Sequence, residues 1–323
     1  MTRVDAHHHL WDLKRREQSW LDAAELADIR RTFTIADYAP EAAAAGFDRS
    51  ILVQVLADAD ETRDFLALAA ESHATVTTAD TTVSKVDTIV AESDATAGTS
   101  GSTASTSDTA VSVPSLVGVV GWIDLTAPDA ADELAALRAG PGGDLLVGIR
   151  HLVQGEADPR WLCRPDVRRG LQAIAEAGLC YDLLTLPHQL PAAVETVRAL
   201  PQLTFVLDHL SKPPIASGQL EPWSSGLRAL AAEPNVFCKL SGMVTEADHT
   251  SWTVASLRPY AEVALEAFGP SRVMFGSDWP VCLLAAPYAR VAETAAQLIS
   301  ELSSGEQDQI FGGTAVNAYR LRI

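Results

Sequence analysis

The strongest constraint in this sequence is an alternation repeated eight times. Short apolar runs alternate with Ala- and Leu-rich stretches of helical spacing. The predicted strands are Arg3–His9, Ser50–Leu56, Leu116–Ile123, Leu145–His151, Leu179–Leu184, Leu203–His209, Val236–Ser241 and Arg272–Ser277. Between them lie runs such as ETRDFLALAAES, RPDVRRGLQAIAEAG and VASLRPYAEVALEAFG. Strands that alternate with helices build a parallel sheet, because every return crossing needs a helix. Eight units predict an α/β fold of the (β/α)8 TIM-barrel type. An open nucleotide-binding sheet would carry Gly-x-Gly-x-x-Gly after its first strand, and that fingerprint is missing here.

The length, 323 residues, suits one barrel of roughly 250 residues with an insertion. Residues 76–113 supply the insertion: they are dominated by Thr, Ser, Ala and Asp, and hold no aromatic residue and no Pro. Such a segment cannot bury enough apolar surface to offset its ordering entropy, so a disordered surface insertion is expected between the second helix and the third strand. The rest, within 1–323, reads as one domain because the same pattern continues on both sides.

Net charge is -18, from 24 Lys+Arg against 42 Asp+Glu. That balance argues against nucleic acid and against an anionic membrane surface as partners. The N-terminal MTRVDAHHHLWDL has no apolar signal region, and no run approaches the roughly 18 apolar residues of a membrane span. Cys163, Cys180, Cys238 and Cys282 form no C-x-x-C unit and read as reduced thiols of a cytoplasmic protein. A homo-oligomer stays open.

Barrel enzymes place their chemistry at the C-terminal ends of the strands. The first strand ends in Asp5-Ala6-His7-His8-His9. Side chains alternate along a strand, so His7 and His9 share a face and His8 points the other way. Two imidazoles one pleat apart can grip one divalent ion or hold substrate without any metal. The fourth strand ends in Arg150-His151, and an inward Arg suits a carboxylate or hydroxyl oxygen. His188 follows the fifth strand, and His209 ends the sixth. Lys239 sits inside the apolar run of the seventh, where it needs a partner or a task. Asp278 lies at the end of the eighth, beside the first strand once the barrel closes, and could take a proton from water.

Taken in order, VDAHHHLWD, VGIRHL, FVLDHLSKP, NVFCKLSG and VMFGSDWP resemble the amidohydrolase superfamily. More narrowly, they resemble its amidohydrolase-related branch of sugar-acid lactonases and 2-pyrone-4,6-dicarboxylate lactonase. The resemblance implies a distorted TIM barrel, with His7, His9, His209 and Asp278 as metal or catalytic residues. It places Asp278 as the water-activating base, and Arg150 and Lys239 as cationic substrate or oxyanion contacts. A binuclear metal centre does not fit, because Lys239 comes from the seventh strand and not the fourth. One zinc-like divalent ion or metal-free catalysis both remain open.

The expected function is therefore a hydrolase of carbohydrate metabolism that opens a sugar-derived lactone, with Asp278 and His209 in the chemistry. Trp11, Gln54, Arg150, His151, His188, Lys239 and Trp279 are the expected substrate contacts. Two rival readings are a metal-dependent decarboxylase or hydratase and a non-catalytic sugar-acid binding protein. Carbon dioxide release would mark the first, and tight binding without turnover the second.

Overall fold

The computed structural model describes residues 2–72 and 114–323. The predicted insertion over 76–113 lies outside the described residues. Eight strands run parallel in the order of the sequence. They are β1 (Val4–His8), β2 (Arg49–Val53), β3 (Ser115–Gly121), β4 (Leu146–His151), β5 (Cys180–Leu183), β6 (Thr204–Leu207), β7 (Val236–Leu240) and β8 (Val273–Phe275). The connecting helices are α1 (Ile35–Ala44), α2 (59–72), α3 (Ala130–Ala139), α4 (Pro165–Glu176), α5 (Leu190–Ala199), α6 (Trp223–Ala231) and α7 (Val254–Phe268). Helix α8 (Tyr288–Leu298) follows the last strand, and α9 (Ser304–Asp308) and α10 (Thr314–Tyr319) end the chain. The predicted barrel is thus the observed one, and no helix among the described residues is long and apolar enough to cross a membrane.

The strands are shorter than the sequence predicts, and for physical reasons. Glu61 accepts hydrogen bonds from the backbone N–H groups of Val55 (2.7 Å) and Leu56 (2.9 Å), which ends β2 early. The eighth strand stops at Phe275 because the Ser277 N–H turns to the Asp5 carboxylate, 2.8 Å away.

Two cores hold the layers together. Outward residues such as Leu52, Val119, Ile149, Tyr181 and Phe205 pack against the helices. Inward residues Val4, Ala6, Ile51, Val53, Val206 and Met274 fill the barrel, and Ala315, Ala318 and Tyr319 of the C-terminal segment join them. Each fully buried aliphatic side chain contributes about 1.5–3 kcal/mol relative to exposure.

The seam between β8 and β1 has no full ladder. It is closed by the His9 N–H on the Trp279 carbonyl (2.6 Å) and the Asp278 N–H on the His7 carbonyl (2.8 Å). Beneath them, the buried Asp5 carboxylate accepts from the Ser277 and His7 N–H groups and from the Tyr38 and Tyr288 hydroxyls. One side chain therefore fixes the strand ends that carry His7 and Asp278.

Candidate active site

The histidine run sits on a strand irregularity. The β1–β2 register shifts between Asp5 and His8. Val4 and Ala6 belong to the barrel interior, so strict alternation would turn His7 outward. The bulge re-aims it, as bulges near active sites do. His8 faces the helices as expected: its ring stacks on Tyr38 at 3.9 Å and its Nε2 meets Ser50 Oγ at 3.1 Å.

His7, His9, His209 and Asp278 come together. The Nε2 atoms of His7 and His9 are 3.0 Å apart. Asp278 Oδ1 lies 3.5 Å from His9 Nε2 and 3.8 Å from the Nε2 atoms of both His7 and His209. Two glycines permit this density. A methyl group on Gly276 would stand 2.7 Å from His7 Cβ. One on Gly242, at φ +64°, would stand 2.7 Å from the His209 ring. Those contacts are too short for any Cβ, so both positions require glycine.

His209 is aimed by strained backbone. His209, Leu210, Ser211 and Lys212 all have positive φ, between 50° and 58°. Left-handed backbone costs roughly 1–2 kcal/mol per non-glycine residue. Surrounding bonds hold it. Trp223 Nε1 donates to the Leu210 carbonyl (2.7 Å), Ser211 Oγ to the Thr185 carbonyl (3.2 Å), and the Lys212 N–H to the His209 carbonyl (2.7 Å). Asp278 is a fifth such residue, at φ 57°. Strain concentrated on two residues of one cluster is the pattern of a functional site.

Electrostatics divide the cluster by role. Burial alone would raise the Asp278 carboxyl, but His209, His9 and His7 outweigh it and hold it well below the usual carboxylate range. Burial pushes His209 down to about 4, so its ring is neutral near pH 7. Burial also pushes His7 well below its ordinary value.

Beneath the cluster lies a charged network that sequence reasoning missed in part. Lys239 is fully buried. Its Nζ lies 2.6 Å from Asp182, 2.9 Å from Asp208 and 3.1 Å from His7 Nδ1. Arg150 joins from the side, 3.0 Å from Asp208. The other Arg150 donors meet the Gln54 side chain, the Gln54 carbonyl and His7 Nε2. Four of the five guanidinium N–H donors are spent on Gln54 and Asp208 oxygens, and the fifth lies 3.4 Å from His7 Nε2. Burial would raise Asp208, but Lys239, His7 and Arg150 hold it well below the usual range. Asp208 and Asp182 were not among the expected site residues.

A cavity of about 490 Å³ opens over the cluster. Its walls include His9, Trp11, Arg150, His209 and Asp278, together with Lys212, Glu246 and His249. Of the expected substrate contacts, Trp11 and Arg150 reach this wall. Gln54 is buried behind it, holding Arg150, and Lys239 is buried below. His151 points away: Trp122 Nε1 donates to its Nδ1 (3.1 Å), Glu156 binds its Nε2 (2.7 Å) and Trp161 stacks on it. His188 is exposed on the turn after β5, outside the cavity lining. Trp279 is buried against Phe33 and Tyr38.

The donor set suits a divalent ion. His9 Nδ1 lies 2.8 Å from the Val53 carbonyl, which can only accept. The proton is therefore on Nδ1, and the Nε2 lone pair faces His7 and Asp278. His7, His9 and Asp278 offer ligand atoms within 4.8 Å of one another. The other set, His7, Asp208 and His209, has the same spacing, but its carboxylate already faces the Lys239 ammonium. His7, His9 and Asp278, with His209 beside them, are the residues that would hold such an ion.

Comparison with known proteins agrees with this architecture. The amidohydrolase family model matches residues 4–321. The L-fucono-1,5-lactonase of Burkholderia multivorans is 34% identical, over 99% of this chain and 96% of its own length. That of Burkholderia ambifaria is 32% identical over the same shares. A crystal structure of a Burkholderia multivorans amidohydrolase with bound zinc superposes with a TM-score of 0.81 at 33% identity, covering all of both chains. With the barrel, the histidine pair, the sixth-strand histidine and the eighth-strand aspartate all in place, this chain belongs to the amidohydrolase family.

Proposed function

We propose that this chain hydrolyses the ring ester of a sugar-derived lactone, with a six-membered 1,5-lactone as its preferred substrate. The observation that carries this reading is the convergence of three imidazoles on one carboxylate at the floor of a cavity. Full-length similarity to two L-fucono-1,5-lactonases supports the substrate class.

In this mechanism the lactone carbonyl faces His7 and His9. Asp278 accepts a proton from the attacking water and returns it to the departing ring oxygen. The three imidazoles hold its carboxyl well below the usual carboxylate range, so it is ionised near pH 7 and able to accept. His209, neutral and bonded to Ser241 Oγ at 2.9 Å, supports the developing charge. Lys239 does not reach the cavity and acts through His7. A divalent ion bound at His7, His9 and Asp278 would polarise the carbonyl and acidify water; the histidine-rich set suits zinc. The four unpaired cysteines support a reducing, cytoplasmic setting.

The test is acid release from five- and six-membered aldonolactones, with and without a chelator. The wild-type chain is expected to open six-membered lactones fastest. Asp278→Asn should lower kcat by about 10²–10⁴ while circular dichroism still reports a folded barrel. Near-full turnover by that variant would remove Asp278 from the role. Carbon dioxide release in place of ring opening would assign a decarboxylase instead.

A further inference from the structure

Arg150 was the residue expected to read substrate oxygens, yet four of its five donors are spent on Gln54 and Asp208 and its side chain is only 3% exposed. The other Lys or Arg among the described residues that line the cavity is Lys212. Its Nζ lies 3.0 Å from Glu246 Oε1, and the two side chains are 25% and 24% exposed. Both line the same cavity as Asp278 and His209.

The backbone explains why Lys212 faces this space. The left-handed turn from His209 to Lys212 closes with a bond from the Lys212 N–H to the His209 carbonyl. A three-residue turn puts its first and fourth residues on one side. The intervening Leu210 and Ser211 are fully buried. The strained segment therefore delivers two side chains to the cavity, one toward the reacting centre and one toward its wall.

We propose that Lys212 and Glu246 form the hydroxyl-reading element of the site, an inference that rests on the lactonase reading above. An ammonium only donates and a carboxylate only accepts. Side by side, they match two neighbouring hydroxyls on a sugar ring: one accepts from Lys212 while the other donates to Glu246. A lactone without ring hydroxyls leaves the ion pair closed on itself and gains nothing from it.

The experiment compares a hydroxylated six-membered aldonolactone with δ-valerolactone, which has the same ester ring and no hydroxyls. Lys212→Met and Glu246→Gln are assayed beside the wild type, with circular dichroism and thermal melting to confirm folding. Each variant is expected to lose about 10- to 100-fold more kcat/KM on the sugar lactone than on δ-valerolactone, mostly through KM. Lys212→Arg should recover part of the loss. Equal losses on the two substrates, or no loss on either, overturn the inference alone. A wild-type chain that opens neither lactone overturns the lactonase reading and this inference with it.

Discussion

Two groups of buried charge meet at His7 and are wired in opposite ways. Above it, His9, His209 and Asp278 present nitrogen and oxygen atoms to a cavity. Below it, Asp182, Asp208, Lys239 and Arg150 bind one another, and their formal charges cancel. Their carboxyls do not all respond alike. Burial pushes Asp182 up to about 6 despite Lys239 beside it. Asp278 is equally buried, yet its three imidazole neighbours drive it the other way. Burial alone therefore does not decide a carboxyl's state. What decides it is the charge packed around it: Asp208, in the same lower net as Asp182, is held low by Lys239, His7 and Arg150. The lower net holds His7 in place, and the upper group uses it.

The sharpest way to break this contrast is to open the lower net. Lys239→Met removes the ammonium that lies between two fully buried carboxylates. Breaking one partner out of a buried ion network costs about 3–5 kcal/mol. Urea unfolding should show a loss of that size, well beyond the effect of Asp278→Asn. Equal losses from the two variants would mean that both groups are structural.

A smaller effect distinguishes the two carboxyls by pH. An unfolded Asp protonates near 3.8, whereas native Asp182 protonates near 6. As pH falls through 6, the folded state binds a proton that the unfolded chain does not, so this group increases stability, with the gain complete below about 4. The gap of about two pK units corresponds to at most about 3 kcal/mol. Asp278 has the opposite sign: its contribution is present above 3.8 and is lost as pH falls further toward its depressed native value. Unfolding free energies measured between pH 4 and 7 should rise less steeply toward acid in Asp182→Asn than in the wild type. An unchanged slope would place the titrating group elsewhere.

Much of this arrangement is legible in the sequence, and the gaps have physical causes. The barrel is legible because eight strand–helix units leave a strong periodic signal. His7, His9, His209 and Asp278 are legible because they lie at or just past the C-terminal ends of strands. Asp208 is hidden by its neighbour. Alternation allows Asp208 or His209 inside, not both, but the left-handed turn that begins at His209 breaks the alternation. His151 shows the converse. It follows the inward Arg150, so alternation sends it outward, where Trp122, Glu156 and Trp161 enclose it. Lys212 lies in SKPP, which reads as an ordinary loop until its backbone is seen.

The smallest expected effect tests whether the upper group is open to a ligand in the way its lone pairs imply. An ion that binds the folded state alone stabilises it by RT ln(1 + [L]/Kd), about 1.4 kcal/mol at ten times Kd. Zinc added to chelator-treated protein should raise the thermal midpoint accordingly. His9→Ala should lose most of that rise, because His9 Nδ1 is committed to Val53 and its Nε2 is the preset donor. Asp208→Asn should keep more of it, since Asp208 faces Lys239 and Arg150 and not the cavity. If His9→Ala is stabilised by zinc as fully as the wild type, the ion does not sit on the first-strand pair, and the lower carboxylates become the better candidates.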